Sequence, residues 1–214
     1  MTIFNNSRLT NDVFKIDIKR MRKGWYSDKY FENIGAMLST LAEQKYLFNG
    51  KALRLGDIDL SKTKTGNIEV EMQWFTRRKG KVVVAGVDKA LTVLRHCCGY
   101  FNRNGKFINT WKSMEIEAVH DGATVSYAGD PMTVQPVLRV RGRYRDFALL
   151  ETPTLGLLTR SSRVATNVYE TLMAANGSIQ DIKEIPDDIK LLYRTVWEVS
   201  QKSIIDMAAD RGAY

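Results

Sequence analysis

The side chains able to do chemistry in this sequence are few, and their types can be weighed one group at a time. Arg77 and Arg78, followed by Lys79, form a basic turn. Two guanidinium forks side by side suit a carboxylate or a phosphate held by paired hydrogen bonds. As the solvated tip of a hairpin they need no such role. His96, Cys97 and Cys98 are consecutive. Consecutive side chains on a helix diverge, tetrahedral sites want spaced ligands, and the sequence holds no second cluster, so the cysteines read as buried or half-buried thiols and no metal site is expected. His120 lies in His120-Asp121-Gly122 with no nucleophile or orienting partner near it in sequence, and reads as a turn residue. None of these groups is assigned as catalytic.

The elements that must position them are legible from periodicity. Ile34, Met37, Leu38 and Leu41 predict one apolar face of a helix that starts near Ser27 or Asp28. Ile68, Val70, Met72 and Trp74 alternate with polar residues as in a strand with one buried face. The run Lys81 to Ala85 reads as a second strand, Gly86 as its stop, and Val87, Leu91 and Leu94 as a helix reaching Cys97. Met114, Ile116 and Ala118, then Val125 to Tyr127 and Val137 to Val140, separated by glycine turns, read as strand, turn and strand of a small, mostly antiparallel sheet. From Asp146 helical spacing returns, with Pro153 tolerable early in the element and Asn176-Gly177 as its stop. The fold class is α+β.

Composition agrees with a folded domain: 214 residues, 44% hydrophobic and 26% charged, are far from the signature of disorder. No run approaches the roughly 18 apolar residues of a membrane span, no signal peptide is recognisable, and adjacent cysteines offer no disulfide framework. A cytoplasmic location is expected. The net charge of +8 raises a polyanion partner, but the basic clusters at 19–23, 77–79 and 139–145 read as solvated faces, so nucleic acid is not the expected partner.

After Asn176 the pattern changes. Pro186-Asp187-Asp188 opens an amphipathic helix in which Ile189, Leu192, Tyr193, Val196 and Trp197 share a face. Two domains are expected, 1–176 and a helical tail over 177–214.

A series of ordered motifs marks the first of these. Trp25-Tyr-Ser-Asp-Lys-Tyr-Phe31, Glu71-Met-Gln-Trp-Phe-Thr-Arg-Arg78, Val84-Ala-Gly-Val-Asp88, Glu117-Ala-Val-His-Asp-Gly122, Val140 to Glu151 and Leu155 to Thr166 resemble the amino-terminal part of nicotinate phosphoribosyltransferases. The resemblance implies an enzyme of NAD biosynthesis, in which the pyridine nitrogen of nicotinate attacks the anomeric carbon of phosphoribosyl pyrophosphate and releases pyrophosphate. Magnesium assists and ATP hydrolysis is coupled. It also implies an α+β front domain, a following α/β barrel with the phosphate and ribose sites, and a dimer in which one subunit's front domain covers its partner's barrel. The family's early Asp-x-Tyr motif matches Asp28-Lys29-Tyr30, so Tyr30 is expected to stack on the pyridine ring, with Asp28 beside it. Arg77 and Arg78 would then face the nicotinate carboxylate or a phosphate.

Where that family continues into its barrel, this sequence turns instead to Gly177-Ser-Ile-Gln-Asp-Ile-Lys-Glu-Ile-Pro186. Tyr193 to Lys202 and Met207-Ala-Ala-Asp-Arg-Gly-Ala-Tyr214 resemble an internal segment of the class I ribonucleotide reductase large subunit, one that brings a scaffold helix and no radical-relay cysteine. The expectation is a truncated, fused transferase, with the barrel absent and no activity of its own. It holds no cofactor in this chain, and binds nicotinate and phosphoribosyl pyrophosphate only in a complete active site. The alternative is a non-catalytic module that associates with a full-length transferase or with itself. A weaker third reading is a basic polyanion binder.

Overall fold

A computed structural model describes Arg8, Leu9, residues 11–51 and residues 53–176. In chain order the elements are α1 (Ile18–Met21), α2 (Lys29–Glu43), β1 (Arg54–Leu55), β2 (Ile58–Asp59), β3 (Glu69–Phe75), β4 (Gly80–Val83), α3 (Val87–Cys97), β5 (Gly99–Phe101), β6 (Phe107–Asn109), β7 (Glu115–Ala118), β8 (Thr124–Tyr127), β9 (Pro136–Arg143) and α4 (Glu151–Asn176). The class is α+β, and no closed barrel forms among the described residues.

The alternation at 69–75 gives β3, the outer strand of a three-stranded antiparallel sheet in the order β3-β9-β7. Register places Met72, Val140 and Ile116 in one row and Trp74, Leu138 and Ala118 in the next, all on the core face. The intervening rows, Glu71-Arg141-Glu115 and Gln73-Arg139-Glu117, lie on the other face. There Arg141 is ion-paired to both Glu71 and Glu115, and Arg139 donates to Glu117 at 2.9 Å. Arg143 closes the series by donating to the fully buried Asp146 at 2.9 and 2.6 Å. The basic run 139–145 is therefore largely neutralised by carboxylates from neighbouring strands.

The strands after Met114 do not form the sequential sheet that their spacing predicts. β7 pairs with β9, whereas β8 leaves for a separate two-stranded sheet with β4. The cause is the apolar run Val82 to Ala85, which is buried on both sides and takes β8 as its partner so that Val82 meets Val125 in the core. α3 shares this core almost wholly buried, and Val87 and Leu94 are its most enclosed large side chains.

α4 closes the core. The free edge of β4 pairs with no further strand among the described residues. Instead Thr166 Oγ1 accepts from the Val83 N–H at 3.0 Å, and Ser162 Oγ accepts from the Ala85 N–H at 3.0 Å. Two hydroxyls one turn apart thus satisfy backbone donors that would cost about 1–3 kcal/mol each if buried unpaired. Such close approach needs a helix face of small residues, which Ser161, Ser162, Ala165 and Thr166 supply. It also needs Gly86, whose φ of +89° starts α3 and whose missing Cβ would sit 2.9 Å from both Leu157 O and Ser161 Oγ. Between β9 and α4 the chain makes short 3-10 turns at Tyr144–Asp146 and Ala148–Leu150, so the helix begins at Glu151 rather than Asp146, with Pro153 in its first turn.

α2 starts with Asp28 at its N-cap position, as the sequence suggests, although the Asp28 side chain makes no capping bond; its buried face is Phe31, Gly35 and Leu38, and Met37 is exposed. The helical tail expected over 177–214, with Trp197, lies outside the described residues. Replacing Gly86 by alanine should destabilise the domain by about 2–4 kcal/mol, because positive φ and a backbone clash act together. Urea unfolding of Gly86→Ala against wild type measures this, and an unchanged midpoint would show that α4 is not held as closely as described.

Candidate functional site

Asp28 and Tyr30 stand where α2 meets the first turn of α4. The Asp28 carboxylate makes no cap bond to its own helix. It accepts from Thr152 Oγ1 at 3.1 Å, while the Asp28 N–H reaches the same hydroxyl at 3.3 Å. Tyr30 is 55% exposed, with its ring tilted on Phe31 at a centroid distance of 4.2 Å. Desolvation, then the charges of Glu151 and Asp28, raise the Tyr30 phenol. Burial, with Asp28 adding, raises Glu151. The result is an open aromatic face with a protonated hydroxyl beside two carboxyl groups, able to stack on a flat ring and donate one hydrogen bond.

Arg77 and Arg78 lie elsewhere on the molecule. Arg78 Nη1 donates to Asn167 Oδ1 at 2.9 Å and its Nη2 to Glu170 Oε2 at 2.7 Å, which ties the β3–β4 turn to the second half of α4. Arg77 is exposed and rests its guanidinium 5.7 Å from the Phe75 ring centroid. Thr152 and Asn167 are 15 residues apart on one helix, about 22 Å along its axis. The fold therefore does not gather the four sequence-predicted residues into one constellation.

A groove of about 740 Å³ runs between these two places. Its floor is Trp74, Val82, Val84, Val125, Val137 and Leu158; Arg77, Arg78 and Arg163 border it, and Glu151 lines it as well. Trp74 is only 3% exposed, and its indole Nε1–H is buried with no hydrogen-bond partner among the described residues. Reading the sequence placed Trp74 in a strand core and did not single out Glu151, Thr152 or Arg163. Nothing local marks them, because each gains its role from a neighbour distant in sequence.

Comparison with known proteins divides the chain in the same direction as its motifs. Residues 57–162 match the family model described as quinolinate phosphoribosyl transferase, N-terminal domain. Residues 129–214 match the one described as ribonucleotide reductase, barrel domain. The chain thus carries two family signatures in series. They overlap over 129–162, where β9 and the start of α4 are built into the core with β3 and α3. Curated relatives carry the name ribonucleoside-diphosphate reductase large subunit. That of Caenorhabditis elegans is 54% identical over 69 residues, covering 32% of this chain and 9% of the relative. That of Danio rerio is 34% identical over 121 residues, covering 49% and 15%. That of Plasmodium falciparum (isolate Dd2) is 69% identical over 48 residues, covering 22% and 6%. The chain spans a small fraction of each of these relatives.

Two acids, Asp88 buried and Asp121 half-buried, lie within the stretch that matches the transferase domain model. Asp88 pairs with Arg8 at 2.9 Å and accepts from the Leu9 N–H at 2.8 Å, latching the N-terminal arm to α3. Asp121, in the turn with His120, accepts from the Val87 N–H at 2.8 Å and the Asp88 N–H at 3.3 Å, at the start of α3. His120 itself is exposed, and its carbonyl accepts from the Ala123 N–H at 3.1 Å. Cys97 and Cys98 are buried free thiols, and desolvation pushes Cys97 up to about 12, so neither offers a thiolate near neutrality. No group of three possible metal-ligating side chains exists among the described residues.

Burial, and secondarily the Asp88 charge, push Asp121 up to about 6. Its reference value is near 3.9. The folded state thus favours the protonated form, and the associated stability is present below pH about 4 and lost as pH rises through about 6. Asp121→Asn keeps an acceptor for the Val87 N–H and removes the titration. The variant should gain on wild type between pH 4 and 7, by up to about 3 kcal/mol. Urea unfolding across that range measures it; parallel pH profiles for the two proteins would refute the assignment.

Proposed function

We propose that residues up to about 176 act as the front domain of a nicotinate-type phosphoribosyltransferase, without a reaction centre of their own. In this reading the domain works in assembly with a catalytic barrel on another polypeptide, a full-length transferase or a second subunit. The observation that carries it is the transferase-domain match over 57–162, whose residues build one core and clasp an exposed Tyr30 beside Asp28. Tyr30 would stack on the pyridine ring of nicotinate, and Arg77 would meet its carboxylate or a phosphate of phosphoribosyl pyrophosphate. Arg78 is already held by Glu170, so its share in ligand binding requires that pair to open.

Magnesium and ATP belong to the complete enzyme. The described side chains do not converge into a metal site, so no step is routed through them here. Stabilising the developing charge at the ribosyl centre takes organised donors and metal contacts around the phosphates, and the described residues offer only the scattered guanidinium groups of Arg77 and Arg163 at the exposed rim. The segment related to the reductase contributes a scaffold and no chemistry. The ion pairs along 139–146 leave little free positive charge there, so the polyanion reading is not carried forward.

The purified chain, given nicotinate, phosphoribosyl pyrophosphate, ATP and magnesium, should form no nicotinate mononucleotide. It should form mixed dimers with a full-length transferase, detectable by native mass spectrometry. In those dimers Tyr30→Ala should raise the KM for nicotinate at the site this domain covers, at least tenfold. Product from the chain alone, lost in Tyr30→Ala, would place a complete site within it and sink the proposal. So would failure to form any mixed dimer.

A further inference from the structure

Residues 53–60 form an arm whose apolar side is bare. β1 and β2 pair as a hairpin closed by Gly56-Asp57, with Gly56 at a φ of +58°. Leu55 stands opposite Ile58, and the Leu60 N–H donates to the Leu53 carbonyl at 2.8 Å, so Leu53, Leu55, Ile58 and Leu60 share one face. Leu55 is 67% exposed and Ile58 60%. On the other face Arg54 stands opposite Asp59, and their charges offset each other. Lys51 and Lys62 lie beyond the ends of the hairpin. Asp57, at the tip, has no ion-pair partner among the described residues, which leaves the tip negative. A hairpin of two strands is marginal in water unless it packs on another surface, and none of these residues lines the groove of its own chain.

The groove beside α4 is a matching hollow. Its floor is apolar and its volume of about 740 Å³ is that of a site enclosing several side chains. One wall is α4 at Leu155, Leu158 and Ser162. The other is β3, the outer strand of its sheet, whose outer backbone edge pairs with no strand among the described residues. A strand laid along that edge would give it main-chain partners. At the rim Arg77 and Arg163 are exposed and have no ion-pair partner among the described residues, so this end of the groove is positive. Arm and groove thus each present apolar surface without a cover, and the charges beside it are of opposite sign.

We propose that the β1–β2 arm of one copy of this chain docks in the groove of a second copy, with Leu55 and Ile58 over Trp74 and Leu158 and the Asp57 carboxylate between Arg163 and Arg77. An arm of eight residues is well short of the roughly 20–30 residues that each side of a standard interface provides. One such contact is therefore weak. Exchange of arms in both directions about a twofold axis doubles the contact and closes the assembly as a dimer, where exchange in one direction would leave an open chain. The proposal goes beyond the transferase reading and uses neither Tyr30 nor a substrate. Arg77 also figures in the nicotinate contact, so Arg163 is the rim residue changed in the test.

Analytical ultracentrifugation of the full chain should show a monomer–dimer equilibrium at micromolar concentration, weakened by about 0.5 M salt. Leu55→Asp with Ile58→Asp, and separately Arg163→Glu, should each weaken dimerisation at least about tenfold. Arg163→Glu combined with Asp57→Arg in one chain should return it toward wild type, a rescue that damage to the fold would not allow. All four altered side chains are exposed, and protection of the β3 amides in hydrogen exchange verifies that each variant is folded. Photo-crosslinking benzoylphenylalanine at Ile58 should join two chains, with the adduct mapped by mass spectrometry to residues lining the groove. A monomer at every concentration, a dimer indifferent to these changes, no rescue by the charge exchange, or an adduct outside the groove would each overturn the proposal. Oligomers that keep growing with concentration would overturn the twofold exchange. Mixed dimers with a transferase are read on a different pair of proteins, so the two proposals fail separately.

Discussion

Everything in the described fold depends on how closely α4 approaches β4. The run Val82 to Ala85 is buried throughout, so its outer backbone edge must be satisfied without water, and here a helix does it with Ser162 and Thr166 in place of a neighbouring strand. Hydroxyls reach only a short distance, so the helix face must be small and the opposing backbone must carry no Cβ where the two elements touch. Gly86 meets that demand and at the same point turns the chain from β4 into α3. One close contact therefore fixes the strand, the helix that follows it and the helix that covers it. The groove is the remainder of the same geometry: where α4 leaves the contact, it no longer reaches β3, and Trp74 faces the gap.

The outer face of the β3-β9-β7 sheet shows a second economy. Arginines on the central strand are flanked by glutamates on both neighbours, so each guanidinium serves two carboxylates. Exposed pairs of this kind contribute little to stability one at a time. Their larger effect is on register, since a slip by one residue would put Arg139 and Arg141 on the core side and Leu138 and Val140 in water. A net charge of +8 thus overstates how much free positive potential this face presents.

Local periodicity carried far in this sequence because most elements bury one side only. β3, β4, α3 and the cap of α2 lie where alternation, the Gly86 stop and Asp28 place them. What periodicity could not carry was partnership. β7, β8 and β9 each read correctly as strands, yet the glycine turns between them suggest hairpins that do not form, because β4 has the stronger claim on β8. The same limit governed the site. Tyr30 and Asp28 were legible from a motif and do lie together, whereas Arg77 and Arg78 shared a motif with Trp74 and not a location with Tyr30. The Asp28–Thr152 clasp and the groove are contacts across more than 70 residues of chain, for which no local pattern exists.

The overlap of the two family signatures over 129–162 bears on how the chain is built. In the fold that stretch is not a junction. Val137, Leu138, Val140, Phe147, Leu150 and Leu158 are buried with Trp74, Val84 and Leu94 in one cluster, so no domain boundary can fall inside it. Among the described residues, it is the later part of α4 that leaves this cluster, where Glu170, Thr171 and Ala174 are exposed. A helix leaving a core is a permissive place for one sequence to succeed another, because continuity of backbone hydrogen bonds is all that the join requires. The front domain therefore keeps its packing whatever follows it. The apolar side of α4 that looks into the groove, and the positive rim above it, are the features of that domain which still call for a cover.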